Sequence, residues 1–592
     1  MCTVAAAVAG AAVTAKFWYD DHHVELPEYE ATTNVIWLDQ NWTKQQREWF
    51  YHADQGTRTF DIPYEWFLAL EQPSISPLIF RAVGLFSNPD YLDRLGFIPA
   101  SIDAGLPIGF ARGGPMAWRS GSPWQNPRTK QDMTGLGLTC AACHTGRLTY
   151  RGRTVVIDGG PALTNFVKLK RGIGISLIFT RLLPFRFDRF ADRILGPDAS
   201  GDDKAALKAQ LDDAIEAYFA LKALEDSVAS QNIEEGYGRL DALNRIGNTI
   251  FATDLDEPKN YVGHSAPVHF ARIWNAQWVD WVQYNASIER PMVRNAGEAL
   301  GVGAMLNLTR RETDLFASSV QVKTLVEIEK LIAGNQPNGK DGFSGLKSPE
   351  WPKDILPPIN QALAAKGAEL YSQHCQRCHL PPVSTKAFFE STRWLPANAA
   401  GERYLEARLI DIKRIGTDPA YAESMATRQV SLPGYLNIST NQYGPALGQL
   451  VEKVVNYWYD QQQPPISEAD RQRMNGNRDN GIRSPLAYKV RPLNGVWATP
   501  PYLHNGSVPN IYALLSPVAE RPKTFHLGNR EYDPVNVGYR FDKLAGGFLF
   551  DTSLPGNKNT GHEFSDEAKE GVIGPKLSPD ERRALVEYIK TL

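Results

Sequence analysis

The chain has 592 residues, which at roughly 100–200 residues per domain predicts several packed units and excludes a small single-core module. Apolar residues make up 43% and charged residues 22% of it, a composition typical of globular proteins and unlike that of disordered chains. Because 63 Lys and Arg residues nearly balance 66 Asp and Glu residues, the net charge is −3 and no basic field is available to hold nucleic acid. The composition therefore indicates a folded protein without a nucleic-acid partner.

The first 130 residues precede any recognisable motif. Residues 4–15 are small and apolar and are followed by Lys16, so residues 1–16 are interpreted as the remnant of an export signal or as an artificial start. About 12 residues are too few to cross a bilayer, where about 20 are needed, and the sequence predicts no stable membrane span. Residues 17–130 are rich in aromatic side chains and turns and are predicted to form an additional N-terminal arm.

Helices are predicted at four places further along the chain. Apolar residues recur at three- and four-residue spacing over 202–230, which predicts an amphipathic outer helix. A second helix is predicted over 320–333, before a segment at 334–358 that is rich in Gly, Pro and Lys and marks the best candidate domain boundary. Helices are also predicted over 360–376 and 578–592, the latter because Ser, Pro and then acidic residues are typical of a helix N-terminus.

Four of the five cysteines fall in two C-x-x-C-H motifs, made of Cys140, Cys143 and His144 and of Cys375, Cys378 and His379. This is the attachment sequence of c-type haem, in which two thiols bind the haem vinyl groups and the next histidine binds the iron. Residues i, i+3 and i+4 share one face of a helical turn, so both sulfurs and the imidazole can reach the same side of one porphyrin. A chance motif is expected on the order of 0.001 times in such a chain, so two copies predict two covalently bound haem c groups.

Two other interpretations of the cysteines were weighed. A Cys₄ zinc site usually has its two C-x-x-C pairs about 15–20 residues apart, whereas these pairs are separated by about 230 residues. A thioredoxin-like dithiol needs neither a histidine directly after the second cysteine nor a second copy of the motif. Haem attachment is therefore favoured over both.

The haem motifs define the predicted organisation. The fold class is mainly α, with two class I cytochrome c-like haem domains, long loops and the additional N-terminal arm. Residues 131–336 are assigned to the N-terminal haem c domain and residues 337–592 to the C-terminal one, where a helix enters the motif and a terminal helix pairs with it. Because haem c is attached where exported proteins mature, we expect a periplasmic or secreted bacterial protein.

The sixth position of each iron decides between electron transfer and oxygen chemistry. Two histidines are candidates for the second haem: His562 in a polar, Gly-bearing turn and His504 in a Pro-rich loop over 500–509. From the residues alone, either of them can be the ligand.

An aromatic-rich segment over 264–300 is predicted to form the distal wall of the first haem. It includes Phe270, Trp274 and Trp281, which would line an apolar pocket, carry electrons between the haems, or form an aromatic core.

The paired motifs, the string PYLHNGSVP at 501–509 and the string TGHEF at 560–564 resemble those of the bacterial dihaem cytochrome c peroxidase superfamily. The likeness is greater to its long oxygenase branch, which includes the rubber oxygenases RoxA and RoxB and the dihaem fatty-acid dioxygenases of pseudomonads. It extends over most of the chain from about Asp54 onward.

The resemblance implies a role for each haem. His144 would hold the iron of the N-terminal, active haem with its other side open to O₂, and His379 with His562 would hold that of the C-terminal, electron-transfer haem. Trp281 would lie near the gap between the haems, and Tyr502 would match the loop tyrosine of the methylamine dehydrogenase maturation enzyme. Related enzymes also hold Ca²⁺ between their domains, but the sequence has no dense acidic loop to which its ligands can be assigned.

The chain is much longer than a simple dihaem peroxidase, which favours a pocket for a bulky hydrophobic substrate. We therefore expect a dioxygenase that adds O₂ to an unsaturated aliphatic compound, either a fatty acid that becomes a hydroperoxide or a polyisoprene that is cleaved. Two alternatives stay open. One is a peroxidase that reduces H₂O₂ with electrons from a small redox protein, and the other is a non-catalytic electron-transfer cytochrome.

Overall fold

The computed structural model describes residues 24–30, 32, 34–75, 81–99, 105–118 and 121–592. The interpretation of residues 1–16 lies outside the described residues, as does Cys2. Within the described ranges, α-helix is the commonest regular structure, in agreement with the mainly α prediction. No helix in these ranges is both long and apolar enough to cross a bilayer.

The α-helices of the described residues are Lys44–His52, Tyr64–Ala69, Pro89–Arg94, Phe166–Leu182, Arg186–Leu195, Gly201–Ser227, Ala242–Gly247, Pro291–Gly301, Val322–Ala333, Gln361–His374, Gln376–His379, Lys386–Phe389, Ile412–Ile415, Ala420–Thr427, Tyr443–Asp460, Glu468–Met474, Ile511–Leu514 and Pro579–Ile589. The four predicted helices are among them, with ends shifted by a few residues. The long helix Gly201–Ser227 begins with a capping box, in which Ser200 Oγ accepts a hydrogen bond from the Asp203 amide and the Asp203 carboxylate accepts one from the Ser200 amide. Only three of its side chains are buried, so it is an outer helix as predicted.

The strands are short and form small sheets. They are Asn34–Trp37, Phe110–Pro115, Thr134–Leu138, Thr145–Tyr150, Arg153–Asp158, Arg239–Leu240, Val268–His269, Leu409–Asp411, Ala487–Lys489, Thr524–Leu527, Tyr532–Asp533, Gly538–Tyr539, Phe548–Asp551, Glu563–Phe564 and Val572–Gly574.

One sheet joins the N-terminal segment to the first C-x-x-C-H motif. Arg153–Asp158 is its central strand and pairs antiparallel with Thr145–Tyr150, which follows the motif directly. On its other side it pairs in parallel with Asn34–Trp37. A separate antiparallel pair, Phe110–Pro115 with Thr134–Leu138, leads into the motif from the N-terminal side. The segment before residue 130 is thus hydrogen-bonded to the strands that carry the first motif, and the predicted domain limits themselves stay a prediction.

The helix that enters the second motif packs against the last helix of the chain. A Cβ atom built on Gly367 in helix Gln361–His374 would lie 2.1 Å from the Ala584 carbonyl oxygen of helix Pro579–Ile589. One turn further on, the rings of Tyr371 and Tyr588 have their centres 5.2 Å apart. These contacts confirm the predicted pairing of the two helices. The absence of a Cβ atom at Gly367 is what allows their backbones to approach so closely.

Candidate haem-binding sites

The first C-x-x-C-H motif forms a short 3₁₀ turn, Cys140–Ala142, between two strands. The Thr139 side chain caps this turn by accepting a hydrogen bond from the Ala141 amide, and the His144 amide donates to the Cys140 carbonyl oxygen at 2.9 Å. This local geometry places the two cysteines and the histidine on one turn, as the spacing predicts. A strand leads into this motif, in contrast to the second motif, which an α-helix enters.

Both motif histidines are oriented by a backbone carbonyl. His144 Nδ1 lies 2.7 Å from the Ala271 oxygen and His379 Nδ1 lies 2.8 Å from the Arg491 oxygen. A carbonyl oxygen only accepts hydrogen bonds, so Nδ1 carries the proton in both rings and Nε2 keeps its lone pair. Burial lowers the pKa of His144 to about 4 and also lowers the pKa of His379. Both imidazoles are therefore neutral near pH 7, in the form that binds a metal.

A third imidazole faces the second motif. The ring centres of His379 and His562 are 6.2 Å apart. Two imidazoles that bind one iron from opposite sides have their ring centres roughly 6 Å apart, because each metal–nitrogen bond is about 2 Å long and each ring centre lies about 1 Å beyond its nitrogen. Burial, reinforced by His379 and Arg521, lowers the pKa of His562 to about 3.

A buried arginine holds the loop that carries His562. The Arg521 guanidinium donates to the carbonyl oxygens of Asn559 at 2.5 Å, Gly561 at 3.0 Å and His562 at 3.1 Å. The His562 amide donates to the Ile415 oxygen at 2.9 Å, and Gly561 has the left-handed φ of 70°. The loop is thus fixed on both sides of the histidine.

His504, the other candidate ligand, is placed differently. Its ring is stacked on the Tyr488 ring at 4.1 Å, and its carbonyl oxygen accepts a hydrogen bond from the His269 amide. Tyr502 is also buried, and its hydroxyl lies 3.3 Å from the Val496 oxygen. The geometry therefore favours His562 over His504 as the partner of His379.

The first motif opens onto a cavity of about 330 Å³. Its wall includes Cys140, Cys143 and His144 together with many apolar side chains, among them Phe60, Leu138, Phe166, Leu169, Leu221, Leu240, Leu243, Ile246, Val268, Phe270, Val282, Ile328 and Ile332. Phe270 is one of the predicted site residues that reaches this cavity. The described part of the wall contains no methionine, and its histidines besides His144 are His264 and His269.

Cationic side chains also line this cavity. Arg272, Lys489 and Arg491 have no carboxylate within ion-pair distance among the described residues, and burial lowers the pKa of each of them. Unpaired buried cations are costly, so they indicate an anionic partner that the polypeptide does not supply. The two propionates of a haem are anions of this kind.

The two predicted tryptophans lie in different surroundings. Trp274 is fully buried, and its Nε1 donates to the Asn494 oxygen at 3.0 Å. Trp281 is half-buried, and its ring centre lies 3.8 Å from Cζ of the Arg483 guanidinium. It is absent from the described wall of the 330 Å³ cavity, so its place between two haems stays a prediction.

The structure also shows a duplication that the sequence analysis missed. Residues with a left-handed backbone conformation (positive φ) recur 220 positions apart. The three pairs are Asn275 with Gly495, Gln283 with Leu503, and Ala286 with Gly506. Each copy has a 3₁₀ turn, Ala276–Trp278 or Val496–Ala498, and a narrow loop closed by a hydrogen bond, from Val282 to Ile288 or from Tyr502 to Val508. The shared triplets Asn-Ala-Ser at 285–287 and Asn-Gly-Ser at 505–507 are the sequence signal that would have revealed it.

The residues present fit a c-type haem at each motif. All four motif cysteines are free and partly buried, both proximal histidines are neutral and oriented, and unpaired cations lie nearby. Among the described residues, no group of three or more His, Cys, Asp or Glu side chains is placed to hold a metal ion, so the structure assigns no ligands to calcium or to zinc.

Comparison with known proteins supports the same class. Residues 487–526 match the family described as RoxA-like, cytochrome c-like, and they contain the second copy of the duplicated loop. This match supports a relationship of the segment to RoxA-like cytochromes, a class whose cytochrome c-like domain implies covalently bound haem c.

The chain is 56% identical over 570 residues to the protein named "Uncharacterized protein y4iJ" of Sinorhizobium fredii (strain NBRC 101917 / NGR234). The aligned region covers 96% of this chain and 95% of that protein. The chain belongs to the same family as y4iJ. A second protein of that strain, "Uncharacterized protein y4iM", is 38% identical over 117 residues, 18% of this chain and 27% of that protein.

Proposed function

We propose that this protein is a dihaem c-type dioxygenase that adds O₂ to an unsaturated aliphatic substrate outside the cytoplasm. The cytochrome c-like match and the fit of both motifs support haem binding. A bound haem supplies the oxygen and redox chemistry, and the polypeptide supplies access, orientation and the electrostatic surroundings.

The observation that carries the proposal is the difference between the two motifs. At the second motif, the ring centres of His562 and His379 are 6.2 Å apart, a separation that suits two ligands on one iron and would make this an electron-transfer site. At the first motif, His144 lines a cavity of about 330 Å³ whose wall combines many apolar side chains with several charged ones. Concave sites lined largely by apolar side chains are typical of small-molecule binding. This asymmetry favours a catalytic first site served by an electron-storing second site.

The residues of the cavity would each have a simple task. His144 would hold the first haem through Nε2, and the Ala271 oxygen keeps the ring in the orientation for this. Apolar side chains such as Phe270 and Leu221 exclude water and bind the hydrocarbon part of a substrate. Arg272 and Arg491 would neutralise the propionates of a bound haem.

Oxygen uptake by the isolated protein tests the proposal. With oleate and without reductant or peroxide, we expect O₂ consumption matched by hydroperoxide formation; polyisoprene is the second substrate to test. The proposal is wrong if neither substrate causes uptake while the pre-reduced protein turns over H₂O₂, which would indicate the peroxidase. Low-spin spectra at both haems with no binding of external ligands would indicate an electron carrier.

A matched pair of variants on one helix tests the cavity itself. Leu221 and Phe219 both lie on helix Gly201–Ser227, but Leu221 lines the cavity whereas Phe219 is 49% exposed to solvent. Leu221→Trp should raise the KM for oleate because the indole fills part of the cavity, and Phe219→Trp should leave it unchanged. An equal effect of both substitutions would show that the substrate binds elsewhere.

A further inference from the structure

The two segments that orient the proximal histidines are joined to each other. In each segment, two consecutive carbonyl oxygens have defined partners. The Ala271 oxygen accepts from His144 and the next one, on Arg272, accepts from Arg491 Nη2 at 2.5 Å. The Arg491 oxygen accepts from His379 and the next one, on Pro492, accepts from the Arg272 guanidinium.

The exchange is reciprocal and follows the internal duplication. Ala271 and Arg491 hold equivalent places in the two copies, as do Arg272 and Pro492, because each pair is 220 positions apart. We call the two crossed bonds, from Arg491 to the Arg272 oxygen and from Arg272 to the Pro492 oxygen, the arginine clasp. Through the clasp, a continuous chain of covalent and hydrogen bonds runs from Nδ1 of His144 to Nδ1 of His379.

The clasp is rigid on physical grounds. Arg272 is 8% exposed, and each guanidinium donates to a carbonyl in a partly buried hydrogen bond, where a charged donor makes a stronger bond than a neutral one. Hydrogen bonds in series polarise one another, and the hydrogen bond on the second nitrogen of a metal-binding histidine tunes the ligand strength of the first. A displacement of either segment therefore alters the proximal hydrogen bond of the other.

We propose that Arg272 and Arg491 are positioning residues that couple the two proximal histidines, so that each arginine sets the orientation of the histidine belonging to the opposite motif. This inference rests on the proposed binding of two haems, but not on the proposed dioxygenase activity.

The test is the crossed effect of two conservative substitutions on the haem-loaded protein. Arg272→Lys and Arg491→Lys keep the positive charge near the propionates but remove the fork that makes the clasp. In low-temperature electron paramagnetic resonance spectra, we expect Arg272→Lys to shift the g values of the second, His379-bound haem. Arg491→Lys should shift the signal of the first, His144-bound haem.

Arg483→Lys is the matched control. Arg483 lies in the same region and also donates to a backbone carbonyl, that of Ala286 at 2.7 Å, but it is not part of the clasp. It stacks on Trp281, so a spectral change in this variant alone would assign the coupling to the tryptophan and overturn the proposal. Unchanged spectra in both clasp variants would also overturn it.

Haem content separates this inference from the proposed function. If the wild-type protein binds one haem, as measured by the pyridine haemochrome assay and intact mass, the two-haem proposal itself fails. If a clasp variant does not load two haems, the coupling between the two sites can still be measured in the wild-type protein. Cyanide bound at the first haem should then shift the g values of the second, and an unshifted second signal would overturn the coupling.

Discussion

Replacing Arg521 by glutamine should release the loop that carries His562. Arg521 is 3% exposed and donates to three successive parts of this loop, the carbonyl oxygens of Asn559, Gly561 and His562. A hydrogen bond to a charged group contributes about 1.5–3 kcal/mol, so the three together reach about 5–9 kcal/mol before water replaces some of them. Each buried carbonyl left without a donor costs about 1–3 kcal/mol, and glutamine and water replace some of the lost donors, so the expected loss in the free energy of unfolding is about 3–5 kcal/mol.

The spectroscopic consequence is specific to the second haem. With its loop released, His562 should no longer hold the sixth position fully, and part of the second haem should change from low spin to high spin. Electron paramagnetic resonance measures this change, and urea unfolding measures the loss of stability.

Arg186→Gln provides the control for a general loss of stability. Arg186 is 2% exposed and likewise donates to three backbone carbonyls, those of Glu71, Gln72 and Ser74. We expect a similar decrease in stability with an unchanged low-spin signal. If Arg521→Gln also keeps the full low-spin signal while losing stability, the loop does not depend on Arg521 and the reasoning is refuted.

Three further predictions follow from single features. Gly367→Ala should destabilise the C-terminal helix pair by about 1–3 kcal/mol, since the new Cβ would meet the Ala584 backbone, and urea unfolding that matches wild type would contradict this packing. His562→Ala should convert the second haem to high spin whereas His504→Ala should not; the reverse result would make His504 the ligand. Burial lowers the pKa of both His264 and His504 to about 3, so below pH 6.5 the unfolded chain binds more protons than the folded protein. The free energy of unfolding should therefore fall by about 1.4 kcal/mol per pH unit for each histidine. Equal urea midpoints at pH 7 and pH 5 would disprove this.

The asymmetry of the two motifs gives these experiments a common meaning. One histidine site is closed by a second imidazole, and the other opens onto an apolar cavity. The clasp joins them through the carbonyls that orient both proximal rings. Under the proposed function, this arrangement would keep oxygen chemistry at the first site and let the second site influence it.

Features that depend on neighbouring residues were determined by the sequence alone. The C-x-x-C-H spacing places two sulfurs and an imidazole on one turn whatever surrounds it, and the structure has that turn at residues 140–144. The terminal helix begins at Pro579 because Ser578 and Glu581 form a capping box within four residues. Such local signals survive any arrangement of the rest of the chain.

Features that depend on distant residues were decided only by the tertiary structure. His504 and His562 both lie in shaped polar loops, and only the packing of the 562 loop on Arg521 and Ile415 turns one of them toward His379. The arginine clasp joins segments 220 positions apart through backbone oxygens, and a backbone oxygen leaves no mark on residue identity. The duplicated loop left only a short sequence signal, the Asn and Ser shared by 285–287 and 505–507, because the residues differ at the left-handed positions that its two copies have in common.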